Sequence, residues 1–340
     1  MNKIKKGHSI SIIIPVHNER DNLRQLLAGI EKHTQSITKA MEIIFVDDGS
    51  TDGSYELLKE LSEENPNVKL IQFRQNFGQT AAMAAGIEHS TGDILIFMDA
   101  DLQNDPADIP TLINKLNEGY DVVSGWRKNR KDKLFFKRIP SKLANFLIRK
   151  ISKVKIHDLG CSLKAYRREI LIDISLYGEM HRFLPVLAAR IGAKITEIPV
   201  NHNPRKHGKS HYGLNRTFKV LLDLITVQFM RSFSTKPIYL YGGFALINLL
   251  LGMLSGLSVI LMKIFWGTDM TGNPMLLLTV LFILITILLT LMGIQSEVLI
   301  RIYHQQGKVR QYYIKETQNI NNTEMKTSHS NEINDTQEEK

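Results

Sequence analysis

Two stretches, IYLYGGFALINLLLGMLSGLSVILM (238–262) and MLLLTVLFILITILLTLMGIQS (275–296), contain no charged residue, and they constrain the chain more than any other feature. Roughly 20 apolar residues in a helix cross the ~30 Å hydrocarbon core of a bilayer. A core helix of similar length keeps a polar face, and neither stretch has one. Both read as transmembrane helices, over 238–262 and 275–300, joined by the short, nearly neutral KIFWGTDMTGNP. Arg231 and Lys236 precede the pair, and Arg301, Lys308, Arg310 and Lys315 follow it. The positive-inside rule then places both flanks in the cytoplasm and the connector outside. Tyr239, Tyr241 and Trp266 suit the interfaces. GMLSG (252–256) has the GxxxG spacing of closely packed helices, a spacing that also arises by chance in apolar segments.

The remaining composition narrows the setting. One cysteine, Cys161, excludes an internal disulfide and fits a reducing compartment, where it reads as a small buried residue. The opening MNKIKKGHSISIIIPVHNER turns polar too soon for a signal peptide and reads as a buried strand. The tail, 316–340, is polar and poor in aromatics, the composition of a disordered segment. The net charge of +9 is concentrated: residues 127–155 hold twelve Lys/Arg against the single acid Asp132. A second cluster, NHNPRKHGKSHYGLNR (201–216), adds Arg205, Lys206, Lys209 and Arg216. Such charge fits an anionic lipid or a phosphate as well as a nucleic acid.

Residues 1–230 form the soluble part. SISIIIPV, MEIIFVDDGS, VKLIQF and DILIFMDAD read as strands, alternating with helices in ERDNLRQLLAGIEKH, STDGSYELLKELSEEN and GQTAAMAAGIEHS. Fully apolar strands alternating with helices predict a mainly parallel sheet covered on both faces, a Rossmann-like α/β domain. Polar residues gather where the strands stop: Asn18 and Glu19, Asp47 and Asp48, Asp99 and Asp101. In open α/β sheets that edge binds ligands.

Three acidic groups on one edge repel unless a cation sits among them. In DADLQ an extended Asp-Ala-Asp puts two carboxylates on one face, and a turn after it brings Gln103 toward the same point. These hard oxygen donors suit Mg²⁺ or Mn²⁺ with substrate phosphates completing the shell. No HExxH, Walker A or GxGxxG pattern is present, so zinc-hydrolase and P-loop chemistry lack support.

The combination of IPVHNERDNL, VDDGSTDGS, RQNFGQTAAMAAGI, GDILIFMDADLQNDP and EGYDVVSG resembles the family 2 glycosyltransferases of the GT-A fold. DLGCSLKAYRREI, RFLPVLAARIGAKITEIPV, HGKSHYGLNR and MGIQSEVLIRIY extend the likeness to about residue 315 and to the polyprenyl-phosphate glycosyltransferases. That group includes dolichol-phosphate mannose synthase, bactoprenol glucosyltransferases and undecaprenyl-phosphate formamido-arabinose transferase. The resemblance implies a GT-A domain followed by a two-helix transmembrane hairpin. It implies a nucleotide-sugar pocket lined by Pro15, Asn18, Glu19, Asp47, Asp48 and Asp99, and a metal held by Asp101 and Gln103 beside Asp99. It implies catalytic roles for Asp99, Asp101 and Arg127, and an acceptor phosphate received by Arg127, Arg138, Ser141, Arg205, Lys209 and Ser210. The implied reaction is inverting transfer of one sugar, UDP-glucose being the favoured donor, to polyprenyl phosphate at the cytoplasmic face of the inner membrane. Formamido-arabinose, mannose and N-acetylglucosamine remain alternative sugars. The acceptor phosphate is already anionic and needs no base, so GEMHRFLP, with Glu179, His181 and Arg182, reads as an acceptor- or sugar-binding segment. Close relatives assemble through their membrane helices, which implies a homo-oligomer.

Blander readings stand beside these. Asp48 and Ser50 suit helix caps, and Arg127 and Arg138 suit solvated cations. KLFFKRIPSKLANFLIRKIS (133–152) aligns Phe135, Ile139, Leu143, Phe146 and Leu147 on one helical face with cations opposite. That pattern fits an interfacial helix on anionic lipid, with a second at 214–232, and equally a helix packed on the core. With these uses for the cations, nucleic acid is not an expected partner. A processive polysaccharide synthase would carry Q-x-x-R-W and more spans, whereas QFMRS (228–232) lacks the tryptophan. A non-catalytic lipid-carrier module would have no use for Asp101 and Gln103.

Overall fold

The computed structural model describes residues 8–35, 37, 40–128, 156–172, 174, 176, 178, 180–204, 238–269, 271–305 and 312–320. They fall into two compact units, one made of residues 1–223 with 310–340, the other of 224–309.

The first unit is built on one eight-stranded sheet in the order β7-β5-β6-β4-β1-β2-β3-β8. Its strands are β1 (Ile10–Val16), β2 (Met41–Asp47), β3 (Val68–Phe73), β4 (Ile94–Phe97), β5 (Val122–Trp126), β6 (Lys164–Arg167), β7 (Ile195–Pro199) and β8 (Ile314–Gln318). β1, β2, β3 and β4 run parallel to one another, as do β5 and β7. β6 is antiparallel to both β4 and β5, and β8 is antiparallel to β3. The mainly parallel sheet expected from the sequence is therefore present.

Both faces are covered, which is why the central strands are apolar at successive positions. On one face Ile12, Ile14, Ile43, Phe45 and Ile96 pack against α1 (Arg20–Thr34), α2 (Ser54–Glu64) and α4 (Ile109–Asn117) through Leu23, Leu26, Leu58, Leu61, Leu112 and Leu116. On the other face Ile44, Val46, Ile71 and Phe73 meet Ala81, Ala82 and Ala85 of α3 (Gln79–Glu88). The small residues of α3 have a steric reason. A Cβ at Gly86 would lie 2.3 Å from Cγ2 of Ile13, so the helix sits almost on the strand.

The second unit contains two long helices, Ile238–Trp266 and Pro274–Gln305. Both are long and apolar enough to cross a bilayer, with mean hydropathy 2.2 and 2.9 in their candidate spans. Little of either is buried as a core helix would be: 17% of the most apolar window of the first and none of the second. Within the unit the helices approach closely, since a Cβ at Gly252 would come 3.3 Å from Cβ of Phe282. Thr279 Oγ1 donates to Ser255 Oγ across them at 3.0 Å.

One expectation is corrected. Residues 316–340 read as a disordered tail following a catalytic domain that ends near 230, yet residues 316–318 belong to β8 and join the first unit. An edge strand pairs through its backbone and keeps one face in solvent, so the polar KETQ of 315–318 did not prevent pairing. The amphipathic segments 133–152 and 214–232 lie outside the described residues.

Candidate active site

The C-terminal ends of β1, β2, β4 and β5 bring together most of the singled-out residues that are described. At the end of β1, Pro15 pairs with Val46 of β2. Asn18 then takes a left-handed conformation (φ 57°), which asparagine tolerates better than most residues. Its Oδ1 accepts from the Thr51 amide at 2.8 Å, and its own amide donates to Ser50 Oγ at 3.0 Å. The Glu19 amide donates to Ser54 Oγ at 3.1 Å. These bonds knit the HNE and DDGSTDGS loops into one rim.

The two aspartates of DDGS play different parts. Asp48, 4% exposed, accepts from the amides of Phe77 (2.6 Å) and Gly78 (2.9 Å) and so fixes the loop that opens α3. It does not cap the following helix. The N-cap is Gly53, and the preceding Asp52 accepts from the first amide of each neighbouring helix, Ser54 at 3.0 Å and Arg20 at 3.1 Å. Gly49 makes the loop contact possible: its φ is +68°, and a Cβ there would lie 2.7 Å from the Gln75 carbonyl carbon. Asp47 is wholly buried; its Oδ2 accepts a long bond from Ser50 N (3.4 Å), and its Oδ1 has no donor among the described residues. Burial pushes the Asp47 carboxyl up. A buried carboxylate oxygen without a donor is costly, and it suits recognition of a ligand N–H.

β4 stops at Phe97, and the chain turns through Asp99, Asp101 and Gln103. Asp99 accepts from Gln79 Nε2 at 2.8 Å, which ties it to the first turn of α3. Asp101, 5% exposed, accepts from the Gln103 amide at 3.1 Å. Between them Leu102 is held at φ 59°, a conformation that costs an ordinary residue roughly 1–2 kcal/mol. The strain accompanies a tight turn that folds Gln103 back on Asp101. Burial pushes the Asp99 carboxyl up, and the charge of Asp101 adds to the effect. Among the described residues no group of three or more His, Cys, Asp or Glu side chains converges to hold a metal. The oxygen donors that this turn carries are the carboxylates of Asp99 and Asp101 and the side chain of Gln103. That donor set suits a Mg²⁺-type ion shared with substrate phosphates, and two desolvated like charges give it a reason to bind.

The cationic side is only partly within the described residues, since Arg138, Ser141, Glu179, Arg205, Lys209 and Ser210 lie outside them. Arg127, at the end of β5, forms a two-pronged ion pair with Asp158: Nε to Oδ2 at 2.7 Å and Nη2 to Oδ1 at 3.0 Å. It is therefore not a solvated cation. The chain after β7 reaches the Asp101–Gln103 turn, where Asn203 donates its amide to the Gln103 carbonyl at 2.9 Å and His202 bridges Asn104. That contact brings the start of the second basic cluster beside DADLQ.

Three functional candidates escape a reading of the sequence. Gln79 is marked only by its neighbour glycine, yet it holds Asp99. Lys164 sits in a four-residue strand opposite Phe97, the last residue of β4, and Ser124 of β5. Its buried ammonium donates to the Leu159 carbonyl at 3.0 Å, and burial pulls its pKa down to about 8. Thr80, the residue after Gln79, pairs its hydroxyl with His181 Nδ1 at 2.7 Å. Cys161 is buried as expected, its thiol pushed up to about 11 by burial.

His181 makes a measurable prediction. Burial, reinforced by the charges of Arg182 and Lys164, lowers its pKa to about 3 from 6.5. The unfolded chain thus takes up a proton near pH 6.5 that the folded chain refuses. His181 contributes stability in full above that pH, and the contribution is lost as pH falls toward 3. Between pH 7.5 and 5.5 the wild type is expected to lose on the order of 1 kcal/mol that His181→Asn does not lose. Denaturant titration of both proteins in detergent at the two pH values checks this.

An open, mainly parallel α/β sheet with an Asp-Ala-Asp turn at its ligand-binding edge is the GT-A glycosyltransferase arrangement. The chain belongs to glycosyltransferase family 2: the Glycosyl transferase family 2 profile matches residues 11–175. The dodecaprenyl-phosphate galacturonate synthase of Rhizobium johnstonii is 39% identical to it over 311 residues, covering 90% of this chain and 92% of that protein. The undecaprenyl-phosphate 4-deoxy-4-formamido-L-arabinose transferase of Klebsiella pneumoniae is 36% identical over 308 residues, covering 90% of this chain and 92% of its own. The glucosyl-3-phosphoglycerate synthase of Mycobacterium tuberculosis, crystallised with Mn²⁺ and uridine-diphosphate-glucose, matches with a TM-score of 0.52 at 19% identity. That match covers 66% of this chain and 79% of the other, and it shows the shared fold. The chain is a glycosyltransferase, and enzymes of this fold generally use a divalent metal.

Proposed function

We propose that the protein transfers a single sugar from a nucleotide-sugar to a polyprenyl phosphate at the cytoplasmic face of the inner membrane. The observation that carries this reading is the pairing, in one chain, of the Asp99–Asp101 turn with two span-length helices. The two relatives named for polyprenyl-phosphate products support it, because their likeness covers 90% of this chain and so extends beyond the catalytic sheet. β8 supports the topology: it follows both helices and pairs with β3, which precedes them. Two crossings return the chain to the side it left.

In this reading Asp47 holds the nucleotide base, with Pro15, Asn18, Glu19 and Asp48 shaping the pocket. Asp99, Asp101 and Gln103 would hold Mg²⁺ or Mn²⁺. The ion supplies Lewis-acid neutralisation of charge on the diphosphate leaving group. Gln79 steadies Asp99, and Asp158 orients Arg127 toward the acceptor, with Arg138, Ser141, Arg205, Lys209 and Ser210 completing the phosphate site. An oxygen of the acceptor phosphate attacks the anomeric carbon, the bond to the nucleotide diphosphate breaks, and the configuration inverts. No proton has to be removed from the nucleophile. The neutral His181, committed to Thr80, is accordingly not assigned as a base, and with Arg182 it lines the acceptor or sugar side. The cations in the sequences of 133–152 and 214–232 suit anionic lipid, and the membrane helices supply contacts for self-association.

The relatives' names draw the choice of sugar toward galacturonate or formamido-arabinose, while UDP-glucose remains a donor to be tried. The test is a panel of UDP- and GDP-sugars incubated with detergent-solubilised protein and undecaprenyl phosphate, with mass detection of the lipid product. One donor class is expected to give a lipid heavier by one sugar residue. Free sugar without a lipid product would contradict the assigned acceptor.

A further inference from the structure

The strand that follows the membrane helices lies against the loop that holds Asp48. Tyr312, buried at 6% exposure, stacks on Phe73 with ring centroids 4.9 Å apart and planes 19° apart. Its hydroxyl donates to the Glu88 carboxylate at the far end of α3. Phe73 in turn meets Phe77 edge-on at 5.7 Å, and Phe77 touches Tyr313 at 6.0 Å. The Arg74 amide donates to the Tyr313 carbonyl at 3.0 Å. The Phe77 and Gly78 amides are the donors that Asp48 accepts, and the next residue, Gln79, donates to Asp99.

The strand is itself well anchored. Leu70, Ile71, Gln72 and Phe73 pair with Gln318, Thr317, Glu316 and Ile314, with a register shift at Gln72/Phe73. The Asn319 side-chain Nδ2 donates to the carbonyls of Ser62 (2.7 Å) and Val68 (2.8 Å), and Lys59 pairs with Glu316 at 3.5 Å. Covering an otherwise open sheet edge explains β8 in general terms. It does not require two consecutive tyrosines placed on the loop that leads into the site.

We propose that Tyr312 is a positioning residue for the nucleotide-sugar site. It braces the Arg74–Gly78 loop, so that Asp48, and through Gln79 also Asp99, are held where the donor binds. The proposal rests on the reading of Asp47, Asp48 and Asp99 as the donor side. It makes the segment returning from the membrane a support of the donor pocket, while the acceptor side is left to other elements.

The experiment uses the full chain in detergent and the variants Tyr312→Ala and Tyr312→Phe, with a stop after Ile320 as a control. The loss of one aromatic stack is expected to raise the donor KM by about 2- to 10-fold. The KM for undecaprenyl phosphate is expected to stay near wild type, and kcat at saturating donor to fall by a smaller factor than the donor KM rises. Tyr312→Phe keeps the stack and is expected to restore most of the donor KM, and the stop after Ile320 to behave as wild type. Amide exchange at Phe77 and Gly78 is expected to quicken in Tyr312→Ala. A lower melting temperature with unchanged donor KM and unchanged exchange at those two amides would make β8 an edge cover only, and would overturn the proposal. Titration with UDP and GDP separates the two levels of the account. If the wild type bound neither, the assignment of the donor site would fall, and the proposal with it. If the wild type and Tyr312→Ala bound them equally, the proposal alone would fall.

Discussion

Asp101→Asn is expected to lower sugar transfer by on the order of 10²- to 10³-fold, the usual cost of removing one preorganised electrostatic group from a reacting centre. The substitution keeps the size of the side chain and removes its charge. Asp101 is 5% exposed and accepts the amide of Gln103, a bond that an asparagine Oδ1 still accepts. The turn through Leu102 therefore survives, and the loss falls on kcat rather than on folding. Initial rates at saturating donor, with a melting curve of the same sample, separate the two. Asp99→Asn is the milder partner experiment, because Gln79 donates to Asp99 and an asparagine oxygen again accepts that bond.

The largest effect on stability is expected at Asp158. Its ion pair with Arg127 is two-pronged, and the two side chains are 14% and 13% exposed. Removing one partner of such a pair leaves a desolvated charge, at a cost of about 3–5 kcal/mol. Asp158→Ala is thus expected to unfold at markedly lower denaturant, whereas the double variant Arg127→Met/Asp158→Ala recovers part of the loss. The non-additivity, measured by denaturant titration of the two single variants and the double, is the signature of a coupled pair. If the loss in the double variant equalled the sum of the two single losses, the pair would not be holding the end of β5.

Much of the site was legible because strands that are buried on both faces have no polar residues to spare. ILIF of β4 is apolar throughout, so the appearance of Asp99 and Asp101 immediately after it marks the edge of the sheet. The same contrast gives Asn18 after β1 and Asp47 at the end of β2. What could not be read depends on distance in sequence. Nothing local pairs Arg127 with Asp158, which lies 31 residues away. β6 is four residues, KAYR, and has neither an apolar run nor an alternation, although it fills the place between β4 and β5. Its Lys164 reads as surface because an ammonium is rarely buried, and only the sheet around it reveals otherwise. β8 was hidden for a related reason: an edge strand draws its affinity from backbone pairing, to which the composition of KETQ is indifferent. The two long helices were legible because both lack charge along a full bilayer thickness.

The most direct test is transfer onto undecaprenyl phosphate after the purified protein has been stripped with EDTA and Mn²⁺ is titrated back. The account predicts that the mass of the sugar-bearing lipid disappears on stripping and returns with added Mn²⁺ in the wild type, while Asp101→Asn stays low at every concentration. Undiminished transfer by the stripped wild type, or full recovery by Asp101→Asn, would contradict it.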